Sequence, residues 1–194
     1  MRIREYRPDD CTEILRLFYD TVHTVNAKDY SAEQLAVWAP KTPDFSRWQR
    51  TLGAHNSYVA EEEGRITGFA DLDIPACYFD RLYIHKDYQR QGIASLLADR
   101  IEADARAAGI SRLEVAASIT ARPFFEKRGY RLVREQQVER GGILLTNFVM
   151  EKNWYLYGEE AYRMFAGENL TNSLAKKIET CYTETILKTH RPGL

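Results

Sequence analysis

The chain has 194 residues, of which 44% are hydrophobic and 28% are charged, and its net charge is −1. These values suit a single well-buried core and give no reason to expect a nucleic acid or a membrane surface as partner. No apolar run is long enough to span a membrane, the N-terminus lacks the apolar core of a signal peptide, and the three scattered cysteines form no CxxC pair. We therefore expect a cytoplasmic protein with reduced thiols.

The first element is a short, weakly alternating stretch at residues 2–6, which we interpret as an edge strand. Asp10 and Glu13 then form a capping-box pattern ahead of apolar residues that recur at helical spacing as far as Val25. This pattern predicts a first amphipathic helix that begins at Asp10.

Two shorter helices follow the first one. Ser31 and Gln34 repeat the capping-box pattern, and Pro40 ends the helix that they begin. A third helix is predicted at 45–52, where Gly53 closes it.

The centre of the chain reads as strands. Residues 57–61 and 66–73 flank a turn-type sequence and predict a hairpin, and a third strand covers 77–84. A periodic helix over 93–108 comes next and ends at Gly109. The remaining predicted elements are a strand at 113–117, a short helix at 120–128, and a hairpin of strands at 130–139 and 143–151.

This order of elements predicts an α+β fold. Helices come first, then a meander, then one strand–helix–strand crossover, then a hairpin. A mixed, mostly antiparallel central sheet flanked by helices satisfies that order. The final stretch, 153–194, carries Leu170, Leu174, Ile178, Cys181 and Ile186 at helical spacing but too few apolar residues to fold alone. We interpret it as a C-terminal helical extension that packs on the domain or on a second subunit, so a homodimer is possible.

The loop between the 77–84 strand and the next helix is the most informative segment. A helix start offers backbone N–H groups without intrahelical partners, and the helix dipole favours negative charge there. Gly92 lets the backbone approach a ligand closely, and Arg90 adds a positive charge. The sequence therefore predicts that the loop 89–95 binds a pyrophosphate.

Two segments together resemble the GNAT superfamily of N-acetyltransferases. Residues 82–94 are similar to that family's strand, polar loop and Gly-containing helix start, and residues 117–130 are similar to its later short helix ending in Gly-Tyr. The resemblance covers about residues 1–152, which we expect to form the GNAT-like domain, and leaves 153–194 outside it.

The resemblance implies acetyl-CoA as the donor and an amine as the acceptor. The residues that it implies for acetyl-CoA binding are Leu82, Tyr83, Ile84, Gln89, Arg90, Gln91, Gly92, Ile93, Ala94, Ser95, Ser118 and Phe125. His23 and Tyr30 lie where the family places the acceptor. A capping or exposed role for His23 and a core role for Tyr30 are the alternatives.

Asp80 is the candidate general base. It lies two residues before Leu82, which in a regular strand puts both side chains on one face, and partial burial would raise the pKa of its carboxyl group. The alternative is an ion pair with Arg81 or another arginine. Asp71 and Asp73 are further candidates, although solvent-facing strand positions are the more usual role for such residues.

Two positions depart from the family pattern. Phe125 stands where many members have a tyrosine that protonates the leaving thiolate, and Ser118 stands where many have an asparagine. The predicted function is transfer of an acetyl group from acetyl-CoA to a primary amine of a small molecule or peptide. The alternative is an acyl-CoA-binding sensor or assembly module without turnover, and a nucleotide site unrelated to CoA is a weaker third possibility. No His, Asp or Glu group has metal-ligand spacing, so no metal is predicted.

Overall fold

The computed structural model describes residues 1–154, and Met1–Asn153 form one compact unit. The helices and strands, in chain order, are β1 (Arg2–Glu5), α1 (Cys11–Thr24), α2 (Ala32–Trp38), α3 (Phe45–Ala54), β2 (Asn56–Glu62), β3 (Arg65–Asp73), β4 (Tyr78–Ile84), α4 (Ile93–Ala107), β5 (Arg112–Ser118), α5 (Arg122–Lys127), β6 (Arg131–Arg140) and β7 (Ile143–Asn153). The predicted α+β fold is confirmed. The helix expected around 170–186 lies outside the described residues.

The seven strands form one sheet in the order β1-β2-β3-β4-β5-β7-β6. The β4–β5 pair is parallel and the other five neighbouring pairs are antiparallel, so α4 is the single crossover expected from the sequence. Both predicted hairpins are present, and each turns on consecutive residues with positive φ, at Glu63–Gly64 and at Gly141–Gly142. Within residues 1–154, no helix combines the length and the apolarity needed to cross a membrane.

Helices cover both faces of the sheet. On one face α4 packs so closely that a Cβ added to Gly68 of β3 would lie 2.8 Å from the Ile84 side chain and 3.1 Å from that of Leu97. On the other face Phe18 of α1 packs edge-on against Tyr83 of β4, with ring centroids 4.8 Å apart. Because side chains alternate along β4, Tyr83 and Ile84 contact helices on opposite faces.

The N-terminal helices show one correct and two wrong predictions. The capping box of Ser31 and Gln34 is present at α2. The capping box predicted at Asp10 and Glu13 is wrong, because the Asp10 carboxylate accepts from Arg4 and from the Arg7 backbone. The Glu13 carboxylate accepts instead from the backbone N–H of Ile66 on β3. The partners of Asp10 thus lie upstream, in β1 and just after it, and the partner of Glu13 lies on β3.

Gly53 does not close α3, which continues through it to Ala54. A Cβ at Gly53 would meet no heavy atom within 4 Å, and its φ is not positive, so this position places no demand on glycine. Gly109 and Gly129, by contrast, follow their helices with φ of +75° and +84° as predicted.

Candidate active site

A slot opens between β4 and β5. These parallel strands pair at Tyr78 and Glu114 and then separate. On its other side β4 stays paired with β3, and on its other side β5 stays paired with β7 along its whole length. Along Tyr78–Ile84, the backbone beyond the first residue therefore has a neighbour on one side only. Backbone N–H and C=O groups that face such a gap are available to an extended ligand.

The register decides which backbone groups face the slot. The N–H of His85 donates to the carbonyl of Thr67. Because hydrogen-bonded pairs alternate along antiparallel strands, Phe69 and Tyr83, two residues away in the same register, also form a hydrogen-bonded pair between β3 and β4. Leu82 and Ile84 consequently direct their N–H groups into the slot, and their contact with a pantetheine arm stays a prediction. Tyr83 does not direct its N–H group there, because its backbone is committed to β3.

The loop that was predicted to hold a pyrophosphate lies beyond the open end of the slot. Gly92 adopts φ +82° and Arg90 adopts φ +62°, and a Cβ at Gly92 would meet no atom within 4 Å. In the described part of the chain, the N–H groups of residues 90–94 have no backbone acceptor. The Ser95 N–H differs, because it already donates to the Gly92 carbonyl at 3.0 Å. Five consecutive unpaired amides, those of 90–94, thus lie in the loop that was predicted to bind an anion (the anion-binding loop), and that binding stays a prediction.

The side chains of this loop divide by role. Gln89 donates to the carbonyls of Ile84 and His85, at 2.6 and 3.3 Å, and so holds the loop against the end of β4. Arg90 and Gln91 are exposed, whereas Ile93 is 2% exposed and can offer a ligand only its backbone. Gln89 therefore shapes the loop, while Arg90 supplies its charge.

Ser118 and Phe125 stand in different relations to the slot. Ser118 ends β5, and its Oγ accepts from the Ala121 N–H at 3.1 Å, which leaves its hydroxyl hydrogen free to donate. Phe125 is 3% exposed and packs edge-on against Phe79 and Tyr130, with ring centroids 5.5 and 5.0 Å apart. Core packing leaves Phe125 almost no surface for the predicted cofactor contact.

A buried ion network lies beside the closed end of the slot, which is the end where β4 and β5 pair at Tyr78 and Glu114. Asp71 of β3 is 0% exposed, and both of its oxygens accept from the Arg81 guanidinium, at 2.8 and 2.7 Å. The ring Nδ1 of His55 lies 2.6 Å from the same carboxylate. The expectation that Asp71 would face solvent is therefore wrong.

Asp80 belongs to this network because of a β-bulge. Asp71 pairs with Arg81 and Leu72 pairs with Phe79, so Asp80 is the extra residue on β4. Its carboxylate lies 3.2 Å from the Arg81 guanidinium and 3.9 Å from His55 Nδ1. The expected shared face with Leu82 is wrong, since the bulge breaks the alternation, and the alternative ion pair with Arg81 is present.

Within this network the pKa values of Asp80 and His55 are both raised. Burial raises the pKa of the Asp80 carboxyl group, and the nearby Asp71 carboxylate adds to the rise, while Arg81 and His55 oppose it. The hydrogen bond to Asp71 raises the pKa of His55, and Asp73 and Asp80 reinforce that rise. With 36% of its side chain exposed, Asp80 combines access to a ligand with a pKa above its ordinary value.

One ligand atom each from His55, Asp71 and Asp80 lie within 4.8 Å of one another, which is close enough to hold a metal ion. Sequence spacing gave no sign of this group, because His55 lies in the turn before β2. However, the Arg81 guanidinium already engages both oxygens of Asp71 and compensates the buried charge. We therefore interpret the cluster as an ion network, and the absence of a metal stays a prediction.

His23 and Tyr30 both have structural partners. His23 Nε2 lies 2.9 Å from the Ala39 carbonyl, and its ring stacks on Tyr19. The Tyr30 hydroxyl donates to the Thr146 carbonyl at 2.7 Å and accepts from the Ile119 N–H at 2.9 Å, so it ties the segment after α1 to β7 and to the end of β5. Their contact with an acceptor stays a prediction.

Comparisons with known proteins agree with this geometry. The acetyltransferase (GNAT) domain family matches residues 26–152. The uncharacterized N-acetyltransferase YafP of Escherichia coli strain K12 is 36% identical over 151 residues, which is 77% of this chain and 94% of YafP.

Solved structures show the same fold. A GCN5-related N-acetyltransferase from Rhodopseudomonas palustris is 34% identical, with a TM-score of 0.75 over 78% of this chain and 94% of its own. The acetyltransferase yncA of Salmonella typhimurium, solved with its cofactor acetyl-CoA, is 19% identical, with a TM-score of 0.60 over 79% of this chain and 93% of its own. By family match, by sequence and by fold, the chain belongs to the GNAT family and is an acetyltransferase.

Proposed function

We propose that this enzyme transfers an acetyl group from acetyl-CoA to a primary amine of a small molecule or a peptide. One observation carries the proposal: β4 and β5 separate after Tyr78, and the slot that they leave leads to five unpaired amides at residues 90–94. A thioester carrier with a diphosphate at one end and an extended amide-containing arm matches that arrangement.

The residues fit the two parts of the carrier. The amides of 90–94 and the Arg90 charge suit the diphosphate, because a helix start stabilises anions. The N–H groups of Leu82 and Ile84, with the hydroxyl of Ser118, suit the arm. Acetyl-CoA supplies an activated acyl group and a thiol as leaving group. The fold-level neighbour yncA was solved with acetyl-CoA, which supports the same donor here.

The acceptor must lose a proton before it can attack. A free alkyl ammonium has a pKa of about 10.4, so a base is needed at neutral pH. Asp80 lies near the closed end of the slot, is partly exposed, and has a raised pKa. It is the proposed acceptor of that proton, with Arg81 and His55 holding it in place.

A sensor without turnover is the second candidate. Phe125 favours it, since no hydroxyl stands where many GNAT enzymes carry the tyrosine that protonates the thiolate. The loss of such an acid slows transfer but does not forbid it, because a thiol with a pKa of about 8.5 leaves as thiolate.

Two measurements separate the candidates. Calorimetric titration with acetyl-CoA and, separately, with ATP tests the donor, and we expect binding of acetyl-CoA alone. Release of free thiol is then followed with a panel of primary amines that includes polyamines, amino acids and short peptides. Thiol release with at least one amine supports the enzyme. Tight acetyl-CoA binding without thiol release from any amine supports the sensor, and ATP binding would contradict both.

A further inference from the structure

The slot needs a proton donor that Phe125 cannot provide. A hydroxyl able to serve must reach the closed end, where the sulphur of a thioester would lie. Among the tyrosines of β4, Tyr83 packs against Phe18 and Phe69 on the α1 face, with its backbone committed to β3. Tyr78 has a different environment.

Tyr78 is the last residue of β4 that pairs with β5. The Glu114 N–H donates to the Cys77 carbonyl, so alternate residues of β5, including Ala116, direct their N–H groups toward β4. The Tyr78 hydroxyl lies beside the Ala116 amide. The phenol is therefore partly buried, with its hydroxyl beside a β5 amide that is directed toward β4 close to the point where the strands part.

Three charged groups interact electrostatically with the Tyr78 phenol. They are Asp80 on β4, Glu114 on β5 and Arg140 at the tip of the β6–β7 hairpin. Burial raises the pKa of Tyr78, and the two carboxylates add to the rise. The phenol consequently stays protonated, and able to donate, throughout the neutral range.

We infer that Tyr78 is the general acid of this enzyme and that its hydroxyl donates a hydrogen bond to the sulphur of the bound carrier. The inference rests on the proposed function, because it assumes that CoA lies in the slot. It places the proton donor at the Tyr78 end of β4, because the buried Phe125 has no hydroxyl to donate.

Asp80 and Tyr78 each carry one proton during the reaction. Asp80 takes one proton from the acceptor ammonium, and the neutral amine then attacks the thioester carbonyl to form the C–N bond, with its second proton released to water. As the C–S bond breaks, with its electron pair leaving on sulphur, the Tyr78 O–H breaks and an S–H bond forms. The protonated Asp80 carboxyl then returns its proton to the Tyr78 phenolate. The net result is transfer of one proton from the amine to the thiol and release of a second proton to water, and no further reactant is needed.

The test compares CoA with S-methyl-CoA, which has no ionisable thiol. Calorimetry gives the Kd of each between pH 7 and pH 9.5 for the full-length chain. A hydrogen bond from Tyr78 favours the thiolate, so CoA binding should tighten relative to S-methyl-CoA by at least about threefold across that range. Tyr78→Phe should make the ratio of the two Kd values independent of pH, while Tyr19→Phe should keep the wild-type trend.

Each outcome decides the matter. The inference is overturned if the pH dependence of the Kd ratio is unchanged in Tyr78→Phe. It is also overturned if that ratio is independent of pH in the wild-type protein, a result that does not depend on the folding of any variant. Failure of both carriers to bind the wild-type protein contradicts the proposed function itself. A thermal melt of Tyr78→Phe confirms that its fold is intact before its ratio is interpreted.

Discussion

Asp71 is fully buried with its charge compensated by Arg81 and His55. A buried carboxylate in this position is tolerated only because both oxygens have cationic or N–H partners. The network fixes the Arg81 guanidinium, which in turn contacts Asp80 at 3.2 Å. At the scale of single residues, the candidate base is therefore held by a neighbour whose own position depends on a buried carboxylate.

Asp71→Asn should destabilise the protein by about 3 kcal/mol, because it removes the buried charge that both Arg81 hydrogen bonds engage and leaves Arg81 with only the partly exposed Asp80 as a charged partner. Urea denaturation followed by circular dichroism measures the loss. Asp73→Asn is the matched control: its side chain is 31% exposed, and we expect a loss below about 1 kcal/mol. Equal effects of the two substitutions would contradict the role of the buried network.

Asp80→Asn should lower kcat/KM by about 100-fold at neutral pH, with a smaller loss towards pH 10, where the amine is already neutral. The sign follows from the raised pKa of Asp80. In the wild-type protein the carboxylate loses its capacity to accept as pH falls through that pKa, so the rate falls on the acidic side. The pH–rate profile with the best amine of the panel measures this, and an unaltered profile in Asp80→Asn would remove Asp80 from the mechanism.

At the scale of elements, β4, the loop after it and the start of α4 together carry the residues that we propose bind the arm and the diphosphate of acetyl-CoA. The Gln89 side chain anchors the loop to the end of β4, and Gly92 with φ +82° begins α4. Gln34 and Tyr30 tie the segment around α2 to β7 through the Leu144 and Thr146 carbonyls. These bonds hold Tyr30, a predicted acceptor-binding residue, against β7 and the end of β5.

Gly92→Glu should weaken CoA binding at least about 100-fold without unfolding the protein. The added carboxylate would enter open space at the anion-binding loop and repel the diphosphate. Gly92→Asn is the control, since asparagine tolerates positive φ and brings no charge. Calorimetry gives both affinities, and a thermal melt monitors the fold. Affinity for CoA that is unchanged in Gly92→Glu would rule out this loop as the diphosphate site.

At the scale of the whole molecule, residues 1–153 form a compact unit, and the relative YafP matches over 151 residues that make up 94% of its length. Both facts bear on the prediction that the acetyltransferase domain needs no contribution from the C-terminal stretch. The cytoplasmic location and the possible homodimer stay predictions.

A chain ending at Trp154 should fold and bind CoA within about threefold of the full chain. The reason is that all seven strands of the sheet and the whole slot lie before that residue. Circular dichroism melts and calorimetry test this, and sedimentation of both chains shows whether the removed stretch holds a dimer together. Loss of folding in the shorter chain would show that residues 155–194 complete the domain.

Periodicity and turn residues were enough to predict the α+β class, both hairpins and the crossover through α4. The backbone geometry of the loop at 89–95 was also readable, because a glycine between a strand and a helix is a local feature of backbone chemistry, whereas its binding of a diphosphate stays a prediction. Local signals failed where another partner competed for the same group, which was Arg4 and Arg7 at Asp10 and Ile66 of β3 at Glu13.

Only the tertiary structure decided the chemistry at the closed end of the slot. His55, Asp71 and Arg81 meet there because β3 and β4 pair in one register, and a bulge turns Asp80 away from the face that strict alternation predicts. The separation of β4 from β5 likewise depends on pairing between strands far apart in the chain. Register and bulges are properties of two strands together, so neither strand's sequence alone contains them.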